Sequence, residues 1–308
     1  MRIFITGATG FVGINTVNRL KNKYEISILA RDTQRAKECF GDLVDIHKGN
    51  VNDYDSIENA MKNSSAVVHI AGLVKSYDYK NLYYVNRDGS KNVALAAKKL
   101  GIDNIVHISS LAARGPDNLN RPVSHYGYSK LLGEFEFLKY CYDRDLKILR
   151  PPIIYGPYER WFFDVFKMAK KGIQPVLKDI PFSFLYVEDM VLAIEKLIEH
   201  NNNRIKIYTV SDGNRYTWSK MSEYLFDIMG IKGKTIKINP FIAKIVAYAT
   251  AFMKDKAPLS IDKTKEMDVD GWSCGYEELH KDTGFVPKYD LKNGLKETFD
   301  WYVEHGWL

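Results

Sequence analysis

Short, almost purely apolar runs alternate with longer segments of helical periodicity through the first half of the chain. The apolar runs predict strands at residues 2–6, 25–30, 44–48, 66–70, 105–109 and 147–150. The segments between them predict helices at residues 12–21, 53–62, 83–100 and 126–144. Such alternation is typical of βαβ units, and strands without a polar face indicate helices on both sides of the sheet. The pattern therefore predicts an α/β fold with a doubly wound parallel sheet.

The alternation loosens in the second half, where prolines punctuate the loops between residues 151 and 181. Further elements are predicted there: a helix at 161–171, a strand at 182–187, a helix at 189–199, a strand at 205–210 and a helix at 291–305. We expect residues 1–155, with returning segments at about 182–210, to form the sheet domain. Residues 156–308 are expected to form mainly a smaller C-terminal cap.

The composition excludes several classes of protein. Of 308 residues, 45% are hydrophobic and 27% are charged, which is close to the globular average and excludes disordered, collagenous and coiled-coil chains. The net charge of +6 is modest, and no dense run of lysine and arginine occurs. We therefore expect no binding to nucleic acid.

The cysteines and the apolar runs indicate the cellular compartment of the protein. Cys39, Cys141 and Cys274 lie too far apart for a zinc or redox motif, and they predict free thiols in a reducing compartment without a metal site. The apolar run at the amino terminus is shorter than a secretory signal. The longest later run, residues 241–253, contains Lys244 and is shorter than the roughly 20 residues that span a bilayer. The expectation is a cytoplasmic protein without a transmembrane segment.

A glycine-rich turn joins the first predicted strand to the first predicted helix. Its G-x-x-G-x-x-G pattern permits a tight turn, close approach of a pyrophosphate and close packing of helix against strand. The start of the helix adds free N–H donors and the positive end of the helix dipole. A turn without a ligand is the alternative, but the position directly after the first strand favours a dinucleotide site of Rossmann type. We expect this site to contain Gly7, Thr9, Gly10, Phe11, Val12 and Gly13.

The end of the second strand indicates which dinucleotide binds. An acidic side chain there accepts hydrogen bonds from a ribose 2′-hydroxyl, whereas an arginine pairs with a 2′-phosphate. Ala30 occupies the position of the acid, Arg31 follows it, and Arg35 lies one helical turn further on. The sequence therefore favours NADP. NAD stays possible, because Arg31 and Asp32 are alternatively solvated loop charges and Asp32 could itself bind a ribose.

Tyr126 and Lys130 are one helical turn apart on a predicted helix and therefore share a face. A lysine cation about 4 Å away lowers the pKa of a tyrosine from about 10 toward neutrality. Such a tyrosine exchanges a proton with a carbonyl or hydroxyl oxygen while a nicotinamide carries the hydride. Ser109 and Ser110 end the fifth strand at the carboxyl edge of the sheet, where Ser110 could orient the substrate oxygen. Alternatively, these serines only satisfy backbone groups. We predict Ser110, Tyr126 and Lys130 as the catalytic residues.

With these motifs and several others, the chain resembles the extended short-chain dehydrogenases/reductases over nearly its whole length. That family includes nucleotide-sugar epimerases and dehydratases, 3β-hydroxysteroid dehydrogenases and dihydroflavonol reductases. The further segments that carry the resemblance are Gly49 to Asp53, His69 to Gly72, Asn86 with Gly89 and Asn92, Leu149 to Pro157, and Leu185 to Asp189. Together these motifs are specific for the family but not for a substrate.

The resemblance implies more contacts with the cofactor. They are Asn50 and Val51 at the adenine, Ala71 and Gly72 at the ribose and phosphates, Lys130 at the nicotinamide ribose, Pro151 and Ile153 beside the nicotinamide, and in addition Tyr126, Ser109 and Asn86. Asn50 replaces the usual aspartate, although its amide oxygen can still bond an adenine amino group. Asn86 is interpreted as a structural residue or part of a water relay rather than as a direct catalyst. We expect His69, His107 and His125 to be packed or loop residues.

The resemblance also implies how the chain is assembled. In the family the C-terminal cap binds the substrate over the carboxyl edge of the sheet. Members often form homodimers through the helix that contains the catalytic tyrosine and the helix that precedes the fifth strand. Here those helices are predicted at 126–144 and 83–100, and both are long. We therefore expect a homodimer.

Two departures from the family concern the substrate. Members that act on nucleotide sugars commonly carry an asparagine after the sixth strand and an Arg-Asp-Phe sequence before a later one, whereas this chain has Ile153 and Phe182-Ser183-Phe184. Apolar side chains cannot pair with a diphosphate. The apolar segment 241–253 is interpreted as a core helix, as the lining of a hydrophobic pocket or as a contact with a membrane surface.

The sequence therefore predicts an NAD(P)-dependent oxidoreductase that transfers a hydride between the cofactor and a carbonyl or secondary alcohol of a small apolar substrate. The nearest branch is that of the dihydroflavonol reductases and hydroxysteroid dehydrogenases. The alternative is a nucleotide-sugar epimerase or dehydratase with tightly bound NAD. A dinucleotide-sensing protein without chemistry is disfavoured, because it would not need Ser110, Tyr126 and Lys130 together.

Overall fold

The structure is a computed structural model that describes residues 1–176, 178–201, 204–239, 241, 245, 249, 261–267 and 269–308. Its strands are β1 (Arg2–Thr6), β2 (Glu25–Ala30), β3 (Asp45–Lys48), β4 (Ala66–His69), β5 (Asn104–Ile108), β6 (Asp145–Arg150), β7 (Ile153–Tyr155), β8 (Ile173–Val176), β9 (Phe184–Tyr186), β10 (Lys206–Thr209) and β11 (Lys234–Lys237).

Seven of these strands form one parallel sheet in the order β3-β2-β1-β4-β5-β6-β10. The chain builds β1, β2 and β3 toward one edge and then crosses back to β4, so the strand order reverses between β1 and β4. Such a reversal leaves a crevice at the carboxyl ends of the strands, where open parallel sheets bind their ligands. Two small parallel pairs, β7 with β9 and β8 with β11, lie outside the main sheet.

Helices connect and cover the strands. They are α1 (Phe11–Leu20), α2 (Thr33–Phe40), α3 (Tyr54–Met61), α4 (Tyr79–Tyr83), α5 (Gly89–Lys99), α6 (Leu111–Arg114), α7 (His125–Tyr140), α8 (Arg160–Lys170), α9 (Val187–Glu199), α10 (Trp218–Met229), α11 (Ile261–Met267), α12 (Glu277–Thr283) and α13 (Leu291–Glu304), with a π-helical turn at Tyr84–Asp88.

Short polar side chains fix where several helices begin. Asp32, Asp53, Ser124 and Asp290 each accept a backbone N–H from the first turn of α2, α3, α7 and α13, respectively. Such caps satisfy N–H groups that have no partner inside the helix. The helix that follows the glycine-rich turn is different, because α1 begins at Gly10, which has no side chain to act as a cap. The first N–H groups of α1 are therefore left for another acceptor.

Side chains of the central strands alternate between two apolar layers. Ile3 and Ile5 of β1 pack in one cluster with residues of α1 and α9. Phe4 between them packs in a second cluster with residues of α3, α5 and α7. Both faces of the sheet are thus covered by helices, which explains why the strands lack a polar face. The predicted α/β fold, a doubly wound parallel sheet of Rossmann type, is confirmed.

The C-terminal part of the chain has an aromatic core of its own. Phe162 and Phe166 of α8, Phe184 of β9 and Tyr302 of α13 are buried together in this cluster. By contrast, Leu279 and Phe285, from the same part of the chain, pack into the core of the main sheet together with α1 and α9. The C-terminal part of the chain therefore contributes to two cores.

Most predicted elements agree with the structure to within two residues, but two helices do not, and some elements were not predicted. The sequence analysis missed α2, because only Ala36 and Phe40 of that helix are buried and most of its other residues are polar. The single helix predicted at 83–100 is interrupted by the π-helical turn at Tyr84–Asp88. The helix predicted to end at residue 144 ends at Tyr140.

The apolar segment 241–253 lies mostly outside the described residues. Its described members, Phe241, Ile245 and Ala249, are helical and exposed. Their exposure leaves open the three interpretations drawn from the sequence. Among the residues that the structure describes, no helix has both the length and the apolar character needed to cross a membrane.

Candidate active site

The glycine-rich turn has the geometry of a phosphate cradle. Gly7 has a φ of +74°, and a Cβ atom there would lie 2.7 Å from the backbone nitrogen of Ala71. A Cβ atom at Gly13 would lie 2.1 Å from the carbonyl oxygen of Gly7, so only glycine lets α1 pack this close to β1. Gly10 is exposed, and its N–H donates to the Gly7 carbonyl at 3.0 Å. The uncapped start of α1 therefore faces outward beside an open turn, which fits a pyrophosphate.

Two arginines flank this cradle at the end of β2. Arg31 and Arg35 are exposed, and neither makes an ion pair with any residue that the structure describes. The guanidinium of Arg35 donates to the carbonyl of Thr9 at 3.4 Å, which holds it against the glycine-rich turn. Asp32 caps α2 by accepting the Arg35 N–H at 3.0 Å. Two cations thus stand beside the turn while the neighbouring carboxylate is engaged by the backbone.

The loop after β3 contains the two residues expected at the adenine. Asn50 is exposed, and its amide oxygen accepts the backbone N–H of Asn52 at 2.9 Å. Val51 is buried, and its carbonyl accepts a hydrogen bond from Asn92 at 3.0 Å. A Cβ atom at Gly89 would lie 2.7 Å from Val51, so the valine side chain packs tightly on α5. Asn50 is therefore open to a ligand, whereas Val51 mainly anchors the loop.

The loop after β4 is held from both ends. The N–H of Ala71 donates to the Thr6 hydroxyl at 3.2 Å. Asn86, which is 1% exposed, accepts the N–H of Leu73 at 2.7 Å and donates to the carbonyl of Leu73 at 2.9 Å and to Ser129 at 2.8 Å. All polar atoms of the Asn86 side chain are thus engaged, which supports the structural role rather than a water relay. Gly72 between these anchors is exposed.

Lys130 projects from α7 into the same crevice. A Cβ atom at Gly72 would lie 3.5 Å from its Nζ, so the missing side chain at Gly72 leaves the ammonium accessible from the loop after β4. The ammonium donates to the carbonyl of Ile108, at the end of β5, at 2.7 Å. Burial lowers the pKa of Lys130 to about 8, although the carboxylate of Glu134 opposes this effect. The side chain is positioned to bind hydroxyl groups of a ligand lying over Gly72.

Tyr126 and Ser110 meet at the carboxyl edge of the sheet. Burial raises the pKa of Tyr126 above its usual value, whereas a hydrogen bond with the Ser110 side chain lowers it. The charge of Glu266 adds to the upward shift, and the charge of Lys263 opposes it. The sequence-based expectation that Lys130 lowers the pKa of Tyr126 is therefore wrong in direction for this structure. The physical reason is that burial dominates and the Lys130 ammonium is directed to the backbone of β5.

Ser109 has a different environment from its neighbour. Its hydroxyl donates to the carboxylate of Glu134, which forms a buried ion pair with Arg150 at 2.5 Å. Arg150 also donates to Asn120 at 2.8 Å. Because successive side chains of a strand point to opposite faces, Ser109 binds the underside of α7 while Ser110 stays at the crevice. The structure gives the Ser109 hydroxyl a partner in the protein and does not support the expected cofactor contact.

The residues expected beside the nicotinamide line the junction between the two cores. Pro151 is buried, and its carbonyl accepts the N–H of Leu111 at 2.8 Å. Ile153 is partly buried in β7 and pairs with Phe184 of β9. Phe182 and Phe184 are both buried in the aromatic cluster. The segment Phe182-Ser183-Phe184 therefore lies buried in this core, and Ile153 packs against it.

Three charged residues of α11 belong to the site, and the sequence analysis missed them. The carboxylate of Asp262 accepts the N–H groups of His125 and Tyr126 at 2.8 and 3.0 Å. Glu266 accepts a hydrogen bond from Ser124 at 2.6 Å and pairs with Lys263 at 2.7 Å. Their i, i+4 spacing is that of any solvated helix face, so no local signal distinguishes them.

The histidines are packing residues, as expected. His69 and His107 are fully buried, and their rings stack with centroids 5.3 Å apart. His125 stacks on Tyr79 with centroids 4.1 Å apart and makes a 2.9 Å hydrogen bond with Tyr83. These contacts pack the central sheet and the start of α7.

Comparison with known proteins agrees with this geometry. The ceramide reductase of Caulobacter vibrioides is 29% identical over 317 residues, covering 99% of this chain and 96% of that protein. The UDP-glucose 4-epimerase of Vibrio cholerae is 25% identical and covers 98% of this chain and 95% of that protein. The solved structure of UDP-glucuronic acid 4-epimerase from Bacillus cereus, in complex with UDP-glucuronic acid and NAD, superposes with a TM-score of 0.79 at 18% identity, covering 99% of this chain and 100% of that chain. At this identity the solved structure shows the fold alone.

The family model of the NAD dependent epimerase/dehydratase family matches residues 3–211, which is more than half of the chain. That range contains the glycine-rich turn, the loops after β3 and β4, and the residues Ser110, Tyr126 and Lys130. The chain therefore belongs to the NAD-dependent epimerase/dehydratase family and is an NAD-dependent enzyme of the extended short-chain dehydrogenase/reductase type.

Proposed function

We propose that this enzyme transfers a hydride between its dinucleotide and the carbonyl or secondary alcohol of a largely apolar molecule. The observation that carries the proposal is the placement of three side chains at the carboxyl edge of the sheet: Ser110 lies close enough to Tyr126 to lower its pKa, and Lys130 enters the same crevice and donates to the carbonyl of Ile108. When bound, a nicotinamide dinucleotide supplies or accepts the hydride. The side chains of the protein then handle the proton and the substrate oxygen.

In the direction of reduction, Tyr126 gives its phenolic proton to the substrate oxygen while Ser110 holds that oxygen in place. The raised pKa of Tyr126 keeps the phenol protonated at neutral pH, so the proton that reduction needs is present. Lys130 holds the ribose hydroxyls of the cofactor against the loop after β4. In the direction of oxidation, the same proton returns from the substrate hydroxyl to Tyr126.

The preferred cofactor in this proposal is NADP. Arg31 and Arg35 are exposed beside the glycine-rich turn and pair with no described carboxylate, so both can pair with a 2′-phosphate. Asp32, the candidate partner for an unphosphorylated ribose, caps α2 instead. The family and the relatives support a nicotinamide dinucleotide in general, and the two arginines support the phosphorylated form.

An apolar substrate is supported by the buried aromatic side chains near the crevice. Phe182 and Phe184 pack against Trp218 with ring centroids 5.7 and 5.8 Å apart, and no basic side chain stands at their positions. A nucleotide diphosphate would find no guanidinium there. The similarity to a ceramide reductase supports the same conclusion, because that name states a reduction of an apolar molecule.

A titration with NADPH and with NADH, followed by a panel of carbonyl compounds, tests the proposal. The panel contains steroids, flavonoids, long-chain ketones and small ketones, and we expect NADPH oxidation with one of the apolar classes. The variant Tyr126→Phe should lose turnover and keep its affinity for the dinucleotide, since it removes one proton donor. Retained turnover would contradict the assignment of Tyr126 as the proton donor.

A second candidate function is epimerisation or dehydration of a nucleotide sugar with tightly held NAD. It is favoured by the similarity to a UDP-glucose 4-epimerase over 98% of this chain. This alternative predicts that the purified protein carries bound dinucleotide and that UDP or dTDP sugars raise its melting temperature. The apolar proposal predicts neither result.

We also propose that the enzyme acts as a homodimer in a reducing compartment such as the cytoplasm. Tyr128 and Phe135 are 47% and 49% exposed and lie seven residues apart, so they form one apolar stripe on α7. Such a stripe supports association of α7 and its neighbour α5 with a second copy. Light scattering should show a dimer that becomes a monomer on Phe135→Glu. The free thiols of Cys39, Cys141 and Cys274 support the compartment.

A further inference from the structure

Lysines and apolar side chains share an exposed surface formed by β8, β11 and the end of α8. We call it the basic-apolar surface. It consists of Lys170, Lys171, Lys232, Lys234, Lys237, Ile173, Pro175 and Ile236, all of which are exposed. Ile173 and Ile236 keep 42% and 41% of their surface accessible, which is unusual for isoleucine in a strand.

The pairing of the two strands places these side chains next to one another. Ile173 lies opposite Lys234, and Pro175 lies opposite Ile236, in parallel register. Residues directly opposite in a sheet point to the same face, so one face mixes the apolar Ile173, Pro175 and Ile236 with the cationic Lys234. Lys237 lies opposite Val176 on the other face of this edge strand and is exposed there. The N–H of Lys234 donates to the carbonyl of Gly172 at 3.0 Å, which brings the end of α8 beside the start of β11.

The same surface lacks acidic neighbours in sequence. Residues 165–178 and 228–254 contain nine lysines and no aspartate or glutamate. Among the described acids that flank them, Asp164 binds Lys167, Asp227 binds Lys292, and Asp179 accepts the backbone N–H of Ser219. None of the five lysines of the basic-apolar surface makes an ion pair with a residue that the structure describes. The surface is therefore a cationic patch with apolar groups between the charges.

Phe241 extends this surface beyond the end of β11. The N–H of Ile238 donates to the carbonyl of Val176 at 2.8 Å, which continues the strand pairing. Asn239 then accepts the N–H of Phe241 at 2.9 Å. The phenylalanine that this turn presents is 69% exposed. An aromatic side chain thus stands at the edge of the cationic patch.

We propose that the basic-apolar surface, with Phe241, docks the enzyme on a bilayer that contains anionic lipids. Lysines close to such a bilayer are attracted by the negative surface potential, and apolar side chains between them insert among the headgroups. A nucleic acid would neutralise the lysines but leave Ile173, Ile236 and Phe241 uncovered. This inference goes beyond the proposed reaction and does not depend on it.

Flotation with lipid vesicles tests the docking surface. The protein should float with vesicles of phosphatidylcholine and phosphatidylglycerol and stay behind with phosphatidylcholine alone. The variant K232E/K234E/K237E should bind at least about 100-fold more weakly, because each lysine near an anionic surface contributes about a fivefold factor and each introduced glutamate adds repulsion. The variant I236S/F241S should also bind more weakly, while its net charge is unchanged.

The matched control reverses three other exposed lysines, K62E/K281E/K288E, which changes the net charge by the same amount. It should float like the wild type. Equal losses of vesicle binding in the two triple variants would show that binding depends only on net charge, and this result would overturn the proposal. So would absence of flotation, or retention by RNA that exceeds retention by vesicles. Melting temperatures of all variants show whether they are folded, and activity with a water-soluble carbonyl compound reports separately on the reaction.

Discussion

The carboxylate of Asp262 accepts the backbone N–H of Tyr126 at 3.0 Å, although 136 positions separate the two residues. The first N–H groups of a helix have no partner inside the helix, and a carboxylate at that end also interacts favourably with the helix dipole. The position of the proposed catalytic tyrosine is therefore tied to a helix near the C-terminus. Glu266 strengthens this tie through Ser124, which caps the same helix.

Asp262→Asn should lower turnover more than cofactor affinity. An amide offers one acceptor oxygen where the carboxylate offers two, so one N–H of α7 loses its partner. A shift of the tyrosine on the order of 1 Å costs up to about 100-fold in rate, and the lost charge-assisted bond costs about 1–3 kcal/mol of stability. Steady-state kinetics, dinucleotide titration and urea unfolding measure the three effects. Glu266→Gln should act in the same direction and more weakly.

The control for this prediction is Asp290→Asn. Asp290 is exposed and caps α13 by accepting the N–H of Asn293 at 2.8 Å, and that helix carries no proposed catalytic residue. We expect it to lose stability and to keep its turnover. If both asparagine variants change turnover alike, the effect belongs to helix capping in general and not to the placement of Tyr126.

Lys130→Met should abolish turnover and stabilise the protein at neutral pH. In the folded protein, burial disfavours the charged form of Lys130 and lowers its pKa to about 8. In the unfolded chain, water solvates the same charge. Below pH 8 the lysine is charged in both the folded and the unfolded protein, so the full cost of burying its charge destabilises the folded protein. As pH rises from about 8 to about 10.4 this penalty disappears, because the unfolded chain also loses the proton.

Unfolding in urea at pH 7 and at pH 10 measures this effect. We expect the methionine variant to be more stable than the wild type by about 1–3 kcal/mol at pH 7, with a smaller difference at pH 10. Lys139→Met, an exposed lysine of the same helix, is the control and should show no difference at either pH. A methionine variant that is less stable at pH 7 would mean that the hydrogen bond to Ile108 outweighs the cost of burial.

The residues of the proposed catalytic set were predictable because local patterns specify them. Ser110 follows an apolar strand, and Tyr126 and Lys130 are one turn apart on a helix, so short segments of sequence bring all three to the same edge. The environment of Tyr126 was not predictable. It depends on Asp262 and Glu266, which reach α7 from 136 and 142 positions away. Contacts of that separation leave no trace in local periodicity.

Ser109 shows a second limit of prediction from sequence. A serine at the carboxyl end of a strand was expected to face the cofactor, yet strand alternation places Ser109 and Ser110 on opposite faces. Which of the two faces the crevice depends on the register of β5 with β6, and Glu134 on α7 then captures the Ser109 hydroxyl. The register becomes evident only when the sheet is assembled.

The protein should lose stability steeply as the pH falls below about 6.5. Burial lowers the pKa of His69 to about 3 and that of His107 well below its usual value, with the charge of Lys130 acting in the same direction. The unfolded chain takes up protons near pH 6.5, whereas the folded protein does not. Each histidine then costs up to about 1.4 kcal/mol per pH unit below that value. Urea midpoints at pH 7.5 and pH 5 measure the loss.

His107→Phe should remove much of this acid sensitivity. Neither ring nitrogen of His107 has a hydrogen-bond partner among the described residues, and the ring already stacks on Phe137 with centroids 4.6 Å apart. A phenyl ring therefore fits the chemistry of this site better than imidazole. His305→Gln, on the exposed end of α13, should leave the pH dependence as it is. An unchanged slope in His107→Phe would assign the acid sensitivity to other groups.

The preference for NADPH should be lost in R31S/R35S. Each arginine can form charge-assisted hydrogen bonds with a 2′-phosphate, and such bonds contribute about 1.5–3 kcal/mol each. We therefore expect the Kd for NADPH to rise about 100-fold or more and the Kd for NADH to change by less than about threefold. Lys37→Ser removes a positive charge from the same helix, where Lys37 lies 3.6 Å from Asp42, and should leave both affinities unchanged. Tryptophan fluorescence titrations with the two reduced dinucleotides give these constants. If the double variant binds NADPH and NADH more weakly to the same extent, the arginines stabilise the turn beside Thr9 and do not bind a phosphate. The preference for NADP would then have no basis in this part of the site.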